Sequence, residues 1–329
     1  MNNPSPAVAA VDPGYGYTKA IGPAGAACFP SIVGPAIRIS YDPGLHTQAG
    51  MTVTLGDATW FVGSLAELQS PHPIRPQSRQ RDLNLVRLLT LTAIAATGQR
   101  SGPLKRLVTG LPVAWFKDKA DLVAAITGPA ALTYNGAEIE YTIQQVHVIP
   151  QPAGAFFAQV LTPGGALRDT DKLARRKAGV IDVGMHTTDL LKMDSFQYIE
   201  KASGSIALAA SDFYKALARE INTRYGLEYD LAQAETAARE GEVVLWGRAT
   251  RLPAEMLTAC RAPVIQAVRE YAKELWPDAR EYAAIFVAGG AAPLFVDAIR
   301  EVFPSARLVD DPQTANVRGF WNFAKMQEK

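Results

Sequence analysis

Two segments share one grammar: VDPGYGYTK at Val11–Lys19 and IDVGMHTTD at Ile181–Asp189. Each ends an apolar run with an Asp, has a Gly two positions on, and opens a second run with hydroxyl-bearing residues. The pattern predicts a strand, a tight turn and a returning strand, with Pro13 and Gly14 as turn formers. Glycine lets backbone N–H groups approach phosphate oxygens with no Cβ in the way. Thr18, Thr187 and Thr188 add hydroxyl donors, and Lys19 adds a point charge for a phosphate. Asp12 and Asp182 would repel a phosphate, a conflict resolved by Mg²⁺ or its bound waters between them. Taken singly, each segment also reads as an ordinary turn. Their recurrence 170 residues apart, in matching contexts, points to two facing hairpins that clamp a phosphate chain.

Around these hairpins, strands precede helices twice over. Residues 34–80 are rich in Pro and Gly and carry only short strands, Met51–Leu55 and Thr59–Val62, as an insertion would. Asp82–Thr97 has helical spacing, with Leu85, Leu88, Leu89 and Thr92 on one face and Asp82 at the cap. Leu107–Gly110 reads as a strand, Lys117–Ile126 as a helix stopped by Gly128, and Ile139–Ile149 as a strand entering a buried sheet. That strand breaks at Pro150-Gln151-Pro152, and Ala153–Val160 starts a helix. Residues 162–177 are polar and basic and read as an exposed loop. In the second half, strands are predicted at Gly179–Val183 and His186–Met193, then helices at about 206–225, 230–240 and 252–276. A strand at Ala283–Val287 runs into Gly289-Gly290 and a helix to Phe303. A short strand at Arg307–Val309 then precedes a helix within Gln313–Met326. The order argues an α/β architecture of two related halves. IFVAGGAAPL (Ile285–Leu294) is a strand–Gly-Gly–helix edge that suits a flat or anionic ligand, or simply a tight turn. Neither G-x-G-x-x-G nor a Walker A sequence occurs.

Composition bounds the remaining choices. The 329 residues hold 33 Lys+Arg against 32 Asp+Glu, a net charge of +1, with 48% hydrophobic and 20% charged residues. This usage excludes collagen-like, disulfide-scaffold and wholly disordered chains, and the length suits two domains. The charge balance leaves no polyanion footprint, so direct nucleic-acid binding is not expected. Cys28 and Cys260 lack zinc spacing and read as buried or idle thiols of a reduced compartment. No apolar run reaches the roughly 18–20 residues of a membrane span; the best, Leu83–Ala96, is interrupted by Asn84 and Arg87. MNNPSPAVAA has neither the basic start nor the apolar stretch of a secretory leader and is expected to be a polar lead.

The ordered set resembles the actin/Hsp70/sugar-kinase ATPase superfamily. The hairpin at Val11–Lys19 matches its first phosphate motif, Pro150–Phe156 its first connecting motif and Ile181–Asp189 its second phosphate motif. Ile285–Ala292 matches the adenosine motif, and Thr314–Gly319 the second connecting motif. Within the superfamily the chain is most similar to actin-like proteins of the ParM/StbA plasmid-segregation type. The segments that carry this are TGLPVAWFKDK (Thr109–Lys119), HVIPQPAGAFF (His147–Phe157) and ANVRGFWNF (Ala315–Phe323).

The resemblance implies two duplicated ribonuclease H-like (actin-like) α/β domains around a nucleotide cleft. Domain I would be residues 1–150 with 312–329, including an insertion subdomain at about 34–80, and domain II residues 151–311. It implies ATP or GTP with Mg²⁺ as cofactors. Gly14, Tyr15, Gly16, Tyr17, Thr18 and Lys19 would line the first phosphate loop, and Gly184, Met185, His186 and Thr187 the second. Asn222 would lie near the base and ribose, and Gly289, Gly290 and Ala291 against the adenosine. Asp12 and Asp182 would be the metal and catalytic carboxylates, Asp182 acting through water. Gln151 falls where the family orients the attacking water, and it also reads as a helix-start residue in a Pro-flanked turn. A neutral amide positions rather than deprotonates, so slow hydrolysis is expected. Pro13, His186, Asn222 and Thr223 depart from the family pattern, the last two where actins carry Lys and Glu.

The function so implied is a cytoplasmic, nucleotide-dependent, filament-forming ATPase whose partners are its own copies and a DNA-binding adaptor, with no membrane or direct nucleic-acid contact. The alternatives are a superfamily small-molecule kinase and a non-hydrolysing actin-like scaffold. A kinase needs a carboxylate base beside an acceptor pocket, where this chain has Gln151.

Overall fold

The computed structural model describes residues 7–40, 50–76, 82–168 and 172–328. The polar lead at 1–6, and parts of the 34–80 insertion and the 162–177 loop, lie outside the described residues. The chain begins with β1 (Ala7–Pro13), β2 (Tyr17–Gly22), β3 (Gly25–Pro30), β4 (Val33–Pro35), β5 (Met51–Leu55) and β6 (Ala58–Val62). It continues with α1 (Ser64–Gln69), α2 (Leu83–Ala96), β7 (Gly102–Leu111), α3 (Lys119–Ile126), β8 (Gly128–Tyr134), β9 (Ala137–Ile143), β10 (Val146–Pro150) and α4 (Gln151–Val160). Then come β11 (Lys177–Val183), β12 (Thr188–Asp194), β13 (Gln197–Tyr198), β14 (Gly204–Ile206), α5 (Ala210–Tyr225) and α6 (Leu231–Glu240). The chain closes with β15 (Glu242–Leu245), β16 (Arg248–Arg251), α7 (Ala254–Leu275), β17 (Ala284–Ala288), α8 (Ala292–Val302), β18 (Ala306–Leu308) and α9 (Ala315–Met326).

Two compact units result, Met1–Asp169 with Thr314–Lys329, and Thr170–Gln313. The first holds a sheet ordered β3-β2-β1-β7-β9-β8-β5-β6-β4, with β10 also on β7. The second holds β13-β12-β11-β17-β18, with β14 on β12. Each sheet has the same kernel, an antiparallel hairpin whose first strand pairs in parallel with the next: β2-β1-β7 and β12-β11-β17. Even the register repeats, Asp12 facing Lys19 and Asp182 facing Asp189.

β1 is apolar without alternation because both its faces are covered. Ala9 and Val11 join the core beneath α2, while Val8 and Ala10 join Val108 and the α9 residues Val317 and Phe320. α2 starts where expected, Asp82 accepting from the N–H groups of Asn84 (2.9 Å) and Leu85 (3.1 Å). In the second unit Phe213, Trp276 and Phe295 anchor the core, with Trp276 Nε1 donating to the Ala202 carbonyl at 2.9 Å.

Several boundaries differ from the sequence reading. The single strand expected over Ile139–Ile149 is two strands, because β9 pairs with the start of β7 and β10 with its end. The chain steps across at Gln144 and Gln145, whose backbones bond Leu104 and Leu107. The helix expected from 206 starts at Ala210, since Gly204–Ile206 pairs with β12. The 34–80 insertion is continuous with the main sheet, β5 pairing with β8. The unit divisions fall at 169/170 and 313/314, later than the cuts after 150 and 311, because α4 packs against α9.

That helix pair is close. A Cβ at Gly319 would strike the Gly154 carbonyl, and one at Gly154 would strike the Asn316 backbone. Asn316 Oδ1 accepts from the Ala155 N–H (3.1 Å), Asn322 Nδ2 donates to the Leu161 carbonyl (3.0 Å), and Phe157 stacks on Phe323. Gly319→Ala should therefore destabilise by about 2 kcal/mol through overpacking, outweighing its gain of about 1 kcal/mol in helix propensity. Urea unfolding reads this directly, and a stabilised variant would rule out the close contact.

Candidate functional site

At the first hairpin, β1 delivers Asp12 to the start of the turn with 1% exposure. Lys19, opposite it on β2, places Nζ 3.1 Å from Asp12 Oδ2. Gln151, the first residue of α4, donates Nε2 to Asp12 Oδ1. With Nε2 so fixed, Oε1 is the amide atom left to accept a hydrogen bond. Gly14 lies under the same groups: a Cβ there would meet the Tyr17 carbonyl at 2.9 Å and Lys19 Nζ at 3.2 Å, with Gln151 Nε2 at 4.0 Å. The bare backbone, one ammonium and one amide thus converge on a small volume. A cavity of about 560 Å³ opens beside it, lined by Gly14, Tyr15 and Gln151 and by Leu85, Val86 and Leu89 of α2.

The turn is braced from behind by a residue the sequence reading did not single out. Ser31 Oγ donates to the Gly14 carbonyl (2.6 Å) and bonds Thr18 Oγ1 (2.8 Å), while its N–H bonds the Gly16 carbonyl (2.9 Å). Ser31 follows β3 after a Pro and carries no motif signal, so only the β2–β3 pairing reveals it. Thr18 is fully buried and its hydroxyl is shared with Ser31.

In the second unit the hairpin turn closes with the Gly184 N–H on the Thr187 carbonyl (3.0 Å). It rests on the start of α5, where the Ala210 and Ser211 N–H groups bond the carbonyls of Gly184 and Met185. Asp182 is 6% exposed and lies beside the end of β17. There Gly289 takes φ 96°, and a Cβ on it would strike the Val183 carbonyl and Asp182 Oδ1. A Cβ on Gly290 would strike Gln313. The carboxyl ends of the two parallel strands β11 and β17 therefore bring Asp182, Gly184, Gly289 and Gly290 together, where open α/β sheets bind ligands. Asp189, in the position that Lys19 holds in the first hairpin, accepts from Thr187 Oγ1 (3.0 Å) and from Ser205.

Three further candidate residues have their contacts within the second unit. Thr187 directs its hydroxyl to Asp189 instead of outward. Asn222 has its amide closed on Tyr229, donating to the carbonyl (3.0 Å) and accepting from the N–H (2.6 Å). Ala291 is in the hydrophobic core, so only its backbone can face a ligand. His186 Nδ1 lies 3.3 Å from Ser211 Oγ. Burial, and secondarily the Lys215 ammonium, pushes its pKa below the usual 6.5 against an opposing pull from Asp212.

Both oxygens of Asp12 have protein partners, Lys19 on Oδ2 and Gln151 on Oδ1. Among the described residues no three His, Cys, Asp or Glu side chains gather as a protein metal cage.

Two family profiles match the chain: actin-like proteins, N-terminal domain, over residues 10–154, and archaeal actin homologue MreB-like, C-terminal, over residues 180–301. No curated protein sequence matches it. Among solved structures it is similar to Ta0583, an archaeal actin homologue, with a TM-score of 0.78 and 20% identity over 97% of this chain and 99% of that one. The same protein is also known in complex with ADP. A ParM from a 15-stranded filament of Clostridium botulinum matches with a TM-score of 0.79 and 23% identity, over 98% and 99% of the two chains. At these identities the structural matches establish the two-domain actin-like fold.

His186 gives a pH signature. Its folded-state pKa is depressed, so between that value and 6.5 the unfolded chain binds the extra proton. Stability at this group is therefore present above pH 6.5 and declines as pH falls through that window. NMR titration of the imidazole should show a midpoint below 6.5, and a midpoint at or above 6.5 would contradict the burial of the ring.

Proposed function

Because the chain belongs to the actin-like proteins through both of its domains, we propose that it is a nucleoside-triphosphate hydrolase that polymerises with nucleotide bound. The observation that carries this is the Asp12–Lys19–Gln151 constellation around Gly14. The Gly14 turn and Lys19 take phosphate oxygens, and Gln151 Oε1 accepts a hydrogen bond from the water that attacks the γ-phosphate. Asp12 serves as the positioning group: it fixes the rotamers of Lys19 and Gln151 without touching phosphate. Asp182 holds the hydration shell of Mg²⁺, which when bound neutralises charge on the phosphates. Gly289 and Gly290 bring backbone against the nucleoside, and His186, uncharged at neutral pH, offers a hydrogen bond and no charge to the second phosphate loop.

Since Gln151 is an amide, water is oriented but not deprotonated by it, and turnover is slow. The biological role that fits is the ParM one: ATP- or GTP-driven filaments that move or position plasmid DNA through an adaptor in the cytoplasm. The net charge of +1 suits DNA held indirectly. No helix among the described residues is long and apolar enough to cross a membrane.

Two measurements test this reading. Pelleting and light scattering should show assembly with ATP or GTP and Mg²⁺, and no assembly with either nucleotide or its analogues at high protein concentration would sink the filament claim. Gln151→Ala and Asp182→Ala should each lower γ-phosphate release by about 10²-fold, with measurable nucleotide binding retained. Wild-type rates in both variants would show that the residues are misassigned.

A further inference from the structure

The hairpin β15–β16 forms a two-stranded sheet of its own in the second unit, with Leu245 facing Arg248 across a two-residue turn. The turn residues Trp246 and Gly247 both have positive φ, 53° and 77°. That is the geometry of the tight hairpin turn in which Asn-Gly is the favoured pair. The same chain shows the ordinary solution at β8–β9, where Asn135 and Gly136 (φ 48° and 82°) fill the same positions. There Asn135 also accepts a hydrogen bond from the Thr52 N–H at 2.8 Å.

Trp246 is the contrary choice. A bulky residue in the left-handed region is strained, and its indole is fully exposed. Phe196, another aromatic at positive φ, is at least half-covered by its surroundings. Nothing within the unit rewards Trp246 for its backbone, whereas a fully exposed indole offers an interface more apolar area than most residues do.

The distribution of exposed apolar side chains points to the partner. Among the described residues of the second unit, the large exposed hydrophobics are Val244 and Trp246, both on this hairpin. The others, Ile37, Ile39, Leu68, Ile74 and Leu167, all belong to the first unit. Charge divides in the same way. The first unit carries 15 Lys+Arg against 11 Asp+Glu, and the second carries 18 against 21. A contact between the second unit of one copy and the first unit of another therefore joins apolar to apolar, and as whole units it brings a net charge of −3 to one of +4. Different surfaces on the two partners make it heterologous, so it propagates.

We propose that the Trp246 hairpin tip is a self-association contact that docks on the first unit of a second copy of this chain. The proposal rests on the filament reading above and gives it a residue. Trp246→Asn places the favoured residue in the turn, so the fold should be unharmed: the melting temperature should stay level or rise, and nucleotide binding should match wild type. The critical concentration for nucleotide-dependent assembly should rise about tenfold or more. Trp246→Phe should recover part of the loss. Because the first unit of the Asn variant is intact, the variant can add to a wild-type end but cannot extend it. At a tenth of the wild-type concentration it should shorten the filaments.

Assembly of Trp246→Asn at the wild-type critical concentration would overturn the proposal while leaving the filament reading intact. So would unchanged assembly with lost sedimentation on anionic phospholipid vesicles, which would make the tip a membrane contact. Failure of the wild-type chain itself to assemble would overturn the filament reading and this proposal with it.

Discussion

A carboxylate buried as deeply as that of Asp12 must be compensated, since removing the partner of a buried charge costs several kcal/mol. Its two oxygens draw in Lys19 from β2 and Gln151 from α4, so one ionised group fixes three elements in register. The arrangement reaches further back. α4, which presents Gln151 at its first position, lies directly on α9, where Gly154 and Gly319 leave no room for a methyl group. Charge compensation at the turn and helix packing behind it are one mechanical unit, and the cavity lined by α2 opens beside that unit.

The two halves repeat a backbone and diverge in electrostatics. Both hairpins set an Asp opposite the residue seven positions on, yet that residue is Lys19 in one and Asp189 in the other. The first hairpin therefore carries its own counter-ion. The second surrounds Asp189 with the hydroxyls of Thr187 and Ser205 and leaves Asp182 beside the Gly289 backbone. The two hairpins share the geometry that brings backbone close to a ligand, and they differ in the charge set opposite the Asp. The proposed division of labour, phosphate contact at one hairpin and a hydrated cation at the other, follows that difference.

Much of the fold was legible because it rests on local signals. The paired hairpins, the Asp82 cap, the Gly289-Gly290 turn and the placing of Gln151 at a helix start all lie in contiguous residues whose spacing carries the geometry. Other features are set across the chain and leave little local trace. Ser31 braces Gly14 through a strand pairing, Thr18 and Thr187 are consumed by hydroxyl and carboxylate neighbours, and Asn222 closes on Tyr229. The β15–β16 hairpin escaped notice for a related reason, since Trp246 occupies the place where a turn-forming Asn would have announced it.

The return of α9 to the first unit has a consequence for biogenesis. β1 and β7 emerge from the ribosome early, but the apolar face they share around Val8, Ala10 and Val108 is covered by residues of Ala315–Met326. At about 5–20 residues per second, that face waits roughly 10–30 s for its cover, while the whole of the second unit is synthesised. The unit begun first is completed last. Translation speed through the second unit thus sets how long an unfinished hydrophobic sheet stays open to chaperones or to its neighbours on the same polysome.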